Sequence, residues 1–266
     1  MKRWHATEPS RPSEEASLSP MFGDPSGLFT PPARDSSRAL FVPLHYEPNY
    51  AYPLIVWLHG PGRNERQLLE IMPLVSRRNY VAVAPRGLCL REDGLRGQFC
   101  GWSQSAEHIR EAEQRLFDSI EAARHKLNVA PDRVYVAGFD CGGTMALRVA
   151  LSHPRRFAGV LSIGGAFPSG QTPLGQWTHA RNLVVFMAIG RESLEYPPGR
   201  ACQDLRLLHA AGIAVTLRQY PHGHYLTPQI LGDVDRWIME QVAGGSSSPL
   251  GAGRPPACSP KRADRE

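Results

Sequence analysis

Two side chains carry most of the chemistry this sequence can offer, Asp140 and His224. Asp140 lies in Gly138-Phe-Asp-Cys-Gly142-Gly143, between the β-branched and aromatic run Val134–Ala137 and the helix formers that begin at Thr144. So many glycines at one strand-to-helix junction imply a turn where strand, turn and helix backbone pass too close for a Cβ. The spacing is G-x-Nuc-x-G, which presents its central side chain as a nucleophile. A carboxylate there has no proton for a base to remove. It can attack an electrophilic carbon, serve as general base, or be held in a hydrogen bond or ion pair with His224. His224 closes Tyr220-Pro-His-Gly-His, just before the last helical stretch, and His222 is a weaker candidate two residues earlier. Cys141, one residue past the turn's apex, is expected to point away from His224 as a small buried apolar group.

These residues need a scaffold, and the alternation of elements supplies one. Apolar or β-branched runs mark strands at 39–44, 54–58, 80–84, 134–137, 158–163, 183–189 and 214–220. Helical spacing marks 64–77, 105–127, the stretch after Thr144, 199–211 and 227–242, with Ile109, Ala112, Leu116, Ile120, Ala123 and Leu127 on one stripe of the second. Strands alternating with helices, several of them apolar throughout, predict an α/β fold: a doubly wound, mostly parallel sheet covered on both faces. Reactive loops then lie at the carboxyl ends of the strands. They follow Leu58, Phe139, Ile189 and Tyr220.

Composition bounds the rest. With 266 residues, 42% hydrophobic and 21% charged, the chain fits one domain with tails. Residues 1–37 and 244–266 are rich in Pro, Ser, Gly and charge and are expected to be disordered, leaving 38–243 as the folded domain. The net charge of +5 comes from scattered residues and pairs such as Arg77-Arg78, which excludes a nucleic-acid stripe. Five cysteines without C-x-x-C spacing predict neither a disulfide framework nor a zinc site, and a reducing compartment. No apolar run reaches membrane-spanning length and no apolar segment follows Met1-Lys-Arg-Trp, so a cytoplasmic protein is expected, without metal or cofactor.

Taken together, Leu58-His59-Gly60, Asp132–Gly138, Gly142–Leu147, His153-Pro154, Phe157–Val160, Gly164-Gly165 and Tyr220–His224 resemble the phospholipase/carboxylesterase (lysophospholipase- and dienelactone-hydrolase-like) group of α/β-hydrolases. The resemblance covers about 38–243 and implies the α/β-hydrolase fold. Gly165–Asn182 is too short to hold the cap domain of Asp-nucleophile relatives.

The resemblance also implies roles, and three positions depart from it. Asp140 stands where the family carries its serine. The oxyanion and substrate loop is Gly60-Pro61-Gly62 with the N–H of Cys141, and Pro61, at one donor position, has no N–H. The acid position is Ser193, flanked by Glu192 and Glu195, either of which could orient His224. His59 keeps its structural place in the loop. Two readings follow. One is a hydrolase of small carboxylic esters or thioesters, with Asp140 as nucleophile or base and His224 activating water. The other is a non-catalytic member that binds a small ligand or protein partner in the remnant pocket. Neither the substrate nor the oligomeric state is legible.

Overall fold

The computed structural model describes residues 38–91 and 98–244; both tails expected from composition lie outside the described residues, except that the last helix runs one residue further, to Gly244. Nine strands are described: β1 (Arg38–Phe41), β2 (Tyr52–Leu58), β3 (Val81–Pro85), β4 (Leu88–Arg91), β5 (Gln98–Gly101), β6 (Val129–Phe139), β7 (Gly159–Ile163), β8 (Val184–Gly190) and β9 (Ala214–Tyr220). The helices are α1 (Gln67–Val75), α2 (Ala106–Lys126), α3 (Cys141–Ser152), the single turn α4 (Trp177–Ala180), α5 (Pro198–Ala210) and α6 (Pro228–Gly244). Seven strands form one sheet in the order β1-β3-β2-β6-β7-β8-β9. The edge strand β1 pairs antiparallel with β3, and the other strands run parallel.

The pleat sorts the core. Leu54, Val56 and Leu58 of β2 face the layer of α2, α3 and α5, while Ile55 and Trp57 face that of α1 and α6. Every residue of β2, β3 and β7 is buried, as a parallel sheet covered on both faces requires. Between β7 and β8 the chain holds only α4, so no cap domain is inserted there. Helix starts follow local chemistry. Ser105 accepts the His108 N–H at the start of α2, and Thr227 accepts the Ile230 N–H at the start of α6.

The expectation that the cysteines form no disulfide is corrected in the stretch 86–104, between β3 and α2. This stretch contains an antiparallel pair, β4 and β5, that stands apart from the main sheet and is joined by a disulfide between Cys89 and Cys100. The cysteine count misled because sequence spacing says nothing about register: Cys89 and Cys100 sit directly opposite in the ladder. With a disulfide present, cysteine usage does not point to a reducing compartment. Among the described residues no helix is long and apolar enough to cross a membrane.

Candidate active site

All four loops picked out above meet at the carboxyl edge of the sheet. β6 ends at Phe139 and α3 begins at Cys141, which leaves Asp140 at φ 53°, ψ −120°. Such a backbone costs a non-glycine residue about 1–3 kcal/mol, and here the surroundings impose it. Asp140 N–H donates to the Ile163 carbonyl (2.9 Å), and its own carbonyl accepts from Thr144 N–H (2.9 Å). Gly142 is needed because a Cβ there would lie 2.2 Å from the Leu58 carbonyl oxygen. The turn therefore presses directly against the loop after β2.

His224 arrives from the loop after β9. Its Nε2 lies 2.7 Å from Asp140 Oδ2, and its Nδ1 lies 2.9 Å from Ser193 Oγ. The Asp140 side chain is 30% exposed and that of His224 9%, so the pair sits at the floor of an open site. Gly164, at φ +62°, makes room for the ring, since a Cβ there would come within 2.7 Å of His224 Cε1. Phe139 covers the imidazole with ring centroids 5.0 Å apart.

Ser193 is itself held in place. It is buried, and its oxygen accepts the Tyr196 N–H at 3.0 Å. The Tyr196 hydroxyl donates to Asp204 Oδ2 (2.8 Å), which also accepts the Phe167 N–H (2.8 Å). Burial first, and that bond to a carboxylate second, push the Tyr196 phenol well above its ordinary value, so it stays a donor.

These contacts fix the proton on His224. A carboxylate only accepts, so Nε2 must carry hydrogen toward Asp140. In the neutral ring Nδ1 then accepts, and the Ser193 hydroxyl donates to it. The chain runs from Tyr196 N–H to Ser193, to His224, to Asp140, with every donor matched to an acceptor. A serine nucleophile needs the reverse, with Nε2 bare to take its proton and a carboxylate on Nδ1–H. The relay here keeps the three residue types and exchanges the places of aspartate and serine.

The expectation that Glu192 or Glu195 orients His224 is corrected. Both are exposed, and the described partner of Nδ1 is Ser193. The buried Ser193 hydroxyl occupies the position beside Nδ1. Sequence named Ser193 only as a lost acid; its bond to the imidazole had no spacing signal beyond the local Ser193-x-x-Tyr196 turn. His222 faces elsewhere, its Nδ1 at 2.9 Å from the Gly223 carbonyl and its ring stacked between Tyr220 and Tyr225.

The family resemblance puts two anion-stabilising N–H donors at Cys141 and at position 61. Cys141, as the first residue of α3, has an N–H with no acceptor inside the helix. Its thiol is pushed up, first by burial. Opposite it, Pro61 has no N–H. The N–H groups of its two neighbours are committed: Gly62 N–H donates to the Cys100 carbonyl (3.0 Å) and Arg63 N–H to the Gly60 carbonyl (3.2 Å). Gly60 N–H is bonded to Gln67 Oε1 (3.0 Å), which also accepts the Trp57 indole N–H (3.0 Å). His59 is structural. Its Nε2 accepts the Gly87 N–H (2.9 Å), and burial drives its pKa below the ordinary value, so the ring is neutral. Among the described residues no group of three or more His, Cys, Asp or Glu is placed to hold a metal.

A family model described as Phospholipase/Carboxylesterase matches residues 48–241, more than half of the chain. The chain belongs to the phospholipase/carboxylesterase family. A protein of Nocardia uniformis subsp. tsuyamanensis described as "Putative esterase NocK" is 40% identical over 123 residues, 44% of this chain and 34% of its own length. The chain thus spans about a third of that relative. A protein of Arabidopsis thaliana described as "Probable carboxylesterase SOBER1-like" is 26% identical over 222 residues, 74% of this chain and 82% of its own. Among solved structures, Arabidopsis thaliana SOBER1 superimposes with a TM-score of 0.62 at 18% identity, over 72% of this chain and 100% of that one. A carboxylesterase from Mesorhizobium loti gives 0.61 at 20% identity, over 79% of this chain and 98% of that one. Identities this low speak for the α/β-hydrolase fold alone.

Proposed function

We propose that this member of the phospholipase/carboxylesterase family binds a small ester-like molecule and does not hydrolyse it by the serine route. The observation that carries the reading is the occupancy of His224: a carboxylate faces Nε2 at 2.7 Å and a hydroxyl faces Nδ1 at 2.9 Å. With the proton on Nε2, the imidazole is a donor to Asp140 and is no base for an attacking water or alcohol. The hydrolytic reading, with Asp140 as nucleophile and His224 activating water, needs that nitrogen bare and a carboxylate behind the ring. The missing donor at Pro61 points the same way.

The ligand's character follows from the groups left open. Asp140 uses one oxygen on His224, so the other suits a hydroxyl, amide N–H or ammonium. The Cys141 N–H suits a carbonyl. Beside the loop, a cavity of about 290 Å³ is lined by Pro61, Leu88, Trp102 and neighbours and suits a short apolar chain. A cytoplasmic location belongs to this proposal.

The test is incubation of the full chain with a fluorophosphonate probe and with p-nitrophenyl acetate. The expected result is no label near residue 140 and no turnover above the Asp140→Asn background. Turnover abolished by Asp140→Asn would establish the hydrolytic reading instead.

A further inference from the structure

We infer that the Cys89–Cys100 disulfide is a thiol-operated latch on the loop that borders the candidate site. β4 and β5 pair only with each other, and a two-stranded ribbon by itself is barely stable in water. The covalent bridge across the Cys89–Cys100 pair therefore carries much of the ribbon's order.

The ribbon's two ends are what hold the loop after β2. At one end the Gly87 N–H donates to His59 Nε2 (2.9 Å). At the other, the Cys100 carbonyl accepts the Gly62 N–H (3.0 Å) and the Trp102 indole donates to the His59 carbonyl (3.0 Å). That loop lies against the turn bearing Asp140: Gly142 packs under the Leu58 and His59 carbonyls, and Gly60 under the Phe139 ring. The apolar cavity is lined both by Pro61 and Gly62 of that loop and by Leu88, Cys100 and Gly101 of the ribbon. Loosening the ribbon thus acts on the loop that borders the site and on the cavity beside that loop together. It frees the Gly62 N–H beside Pro61, and it moves a wall of the cavity.

The chemistry is thiol–disulfide exchange with a dithiol. Its first thiolate attacks the partly exposed Cys89 sulfur, and the S–S bond breaks with Cys100 leaving as a thiolate that takes up a proton. The second thiol then attacks the mixed disulfide and releases Cys89. Two electrons and two protons end on the two cysteines, and the dithiol closes into its own disulfide. Cys141 and Cys202 are free and have no part in the exchange.

Hydrogen exchange of the full chain, read by mass spectrometry on peptides spanning His59–Arg66 with and without dithiothreitol, tests the inference. Alkylation monitors the bridge, and exposed Cys202 reacts in both states as an internal control. Reduction in the folded protein is expected to add two alkylated cysteines and to speed exchange at Gly62 by about tenfold or more. Helix α6, packed on the far face, should be unchanged. The Cys89→Ser/Cys100→Ser variant should match the reduced protein without reductant; if it does not fold, the wild-type pair of states decides. A bridge that resists dithiothreitol in the folded chain overturns the inference, as does a reduced bridge with unchanged exchange at His59–Arg66. The inference rests on this loop bordering the ligand site, as in the proposed function. The readout is independent of whether that site binds or hydrolyses, so the two can fail separately.

Discussion

Exchanging the two misplaced residues is the most demanding test of how this site is wired. A carboxylate oxygen stands about 1 Å further from Cβ than a hydroxyl oxygen does. Asp140→Ser therefore opens a gap of that size at Nε2, and Ser193→Asp creates an overlap of the same size at Nδ1, where the contact is now 2.9 Å. Made together they call for one shift of the imidazole by about 1 Å toward residue 140. Made singly, each leaves a misfit large enough to cost about a hundredfold in rate. Asp140→Ser alone also lacks the carboxylate behind the ring, a loss of about 10⁴. Its hydrolysis of p-nitrophenyl acetate should stay at background. Asp140→Ser/Ser193→Asp should give measurable turnover and fluorophosphonate labelling at residue 140. Adding Pro61→Leu supplies the second oxyanion donor and should raise the rate by about 10²–10³. Steady-state rates of the four proteins, with circular dichroism to confirm folding, decide the matter. The reasoning is refuted if Asp140→Ser alone equals the triple variant, or if the folded triple variant is inert.

Two further outcomes are expected. Burial lowers the His59 pKa from 6.5, so the folded chain takes up its proton later than the unfolded chain does. That contribution is complete above pH 6.5 and is lost as pH falls below it. Burial alone would raise Glu65, but the bonds to Arg86, a backbone hydrogen bond and the nearby positive charge together lower it from 4.5, so a second loss begins below pH 4.5. Melting temperature against pH should show both declines, and Glu65→Gln should flatten the lower one; a profile flat from pH 7 to 4 contradicts the assignment. The domain boundaries proposed from composition predict that residues 38–243 alone melt within about 3 °C of the full chain, checked by calorimetry; failure to fold contradicts them.

The scaffold was legible because its signals are redundant. β3 is apolar from end to end, α2 repeats at three and four, and glycines fall where β6 meets α3. Each of these reflects a local requirement that one stretch of chain must satisfy by itself. The positions of Asp140 and His224 were legible for the same reason, each at the end of a strand. The partner of His224 was not, because it depends on how the Ser193 loop folds against Tyr196 and Asp204. Spacing placed a residue at the acid position but could not say that its hydroxyl would turn inward. The bridge between Cys89 and Cys100 was missed on the same grounds. It depends on the register of a short ribbon whose residues show no clear alternation. Pro61 lay between the two cases. Its missing N–H is a fact of sequence, but the commitment of Gly62 to Cys100 is a fact of folding.

In the proposed arrangement His224 carries its proton on Nε2, between Asp140 and Ser193. Side-chain ¹⁵N–¹H correlation spectra of the uniformly labelled protein, recorded above the pH at which the ring ionises, read the tautomer directly. The account predicts Nε2 protonated and Nδ1 bare, with the pattern lost in His224→Ala. A neutral ring protonated on Nδ1, with Nε2 bare toward Asp140, contradicts it.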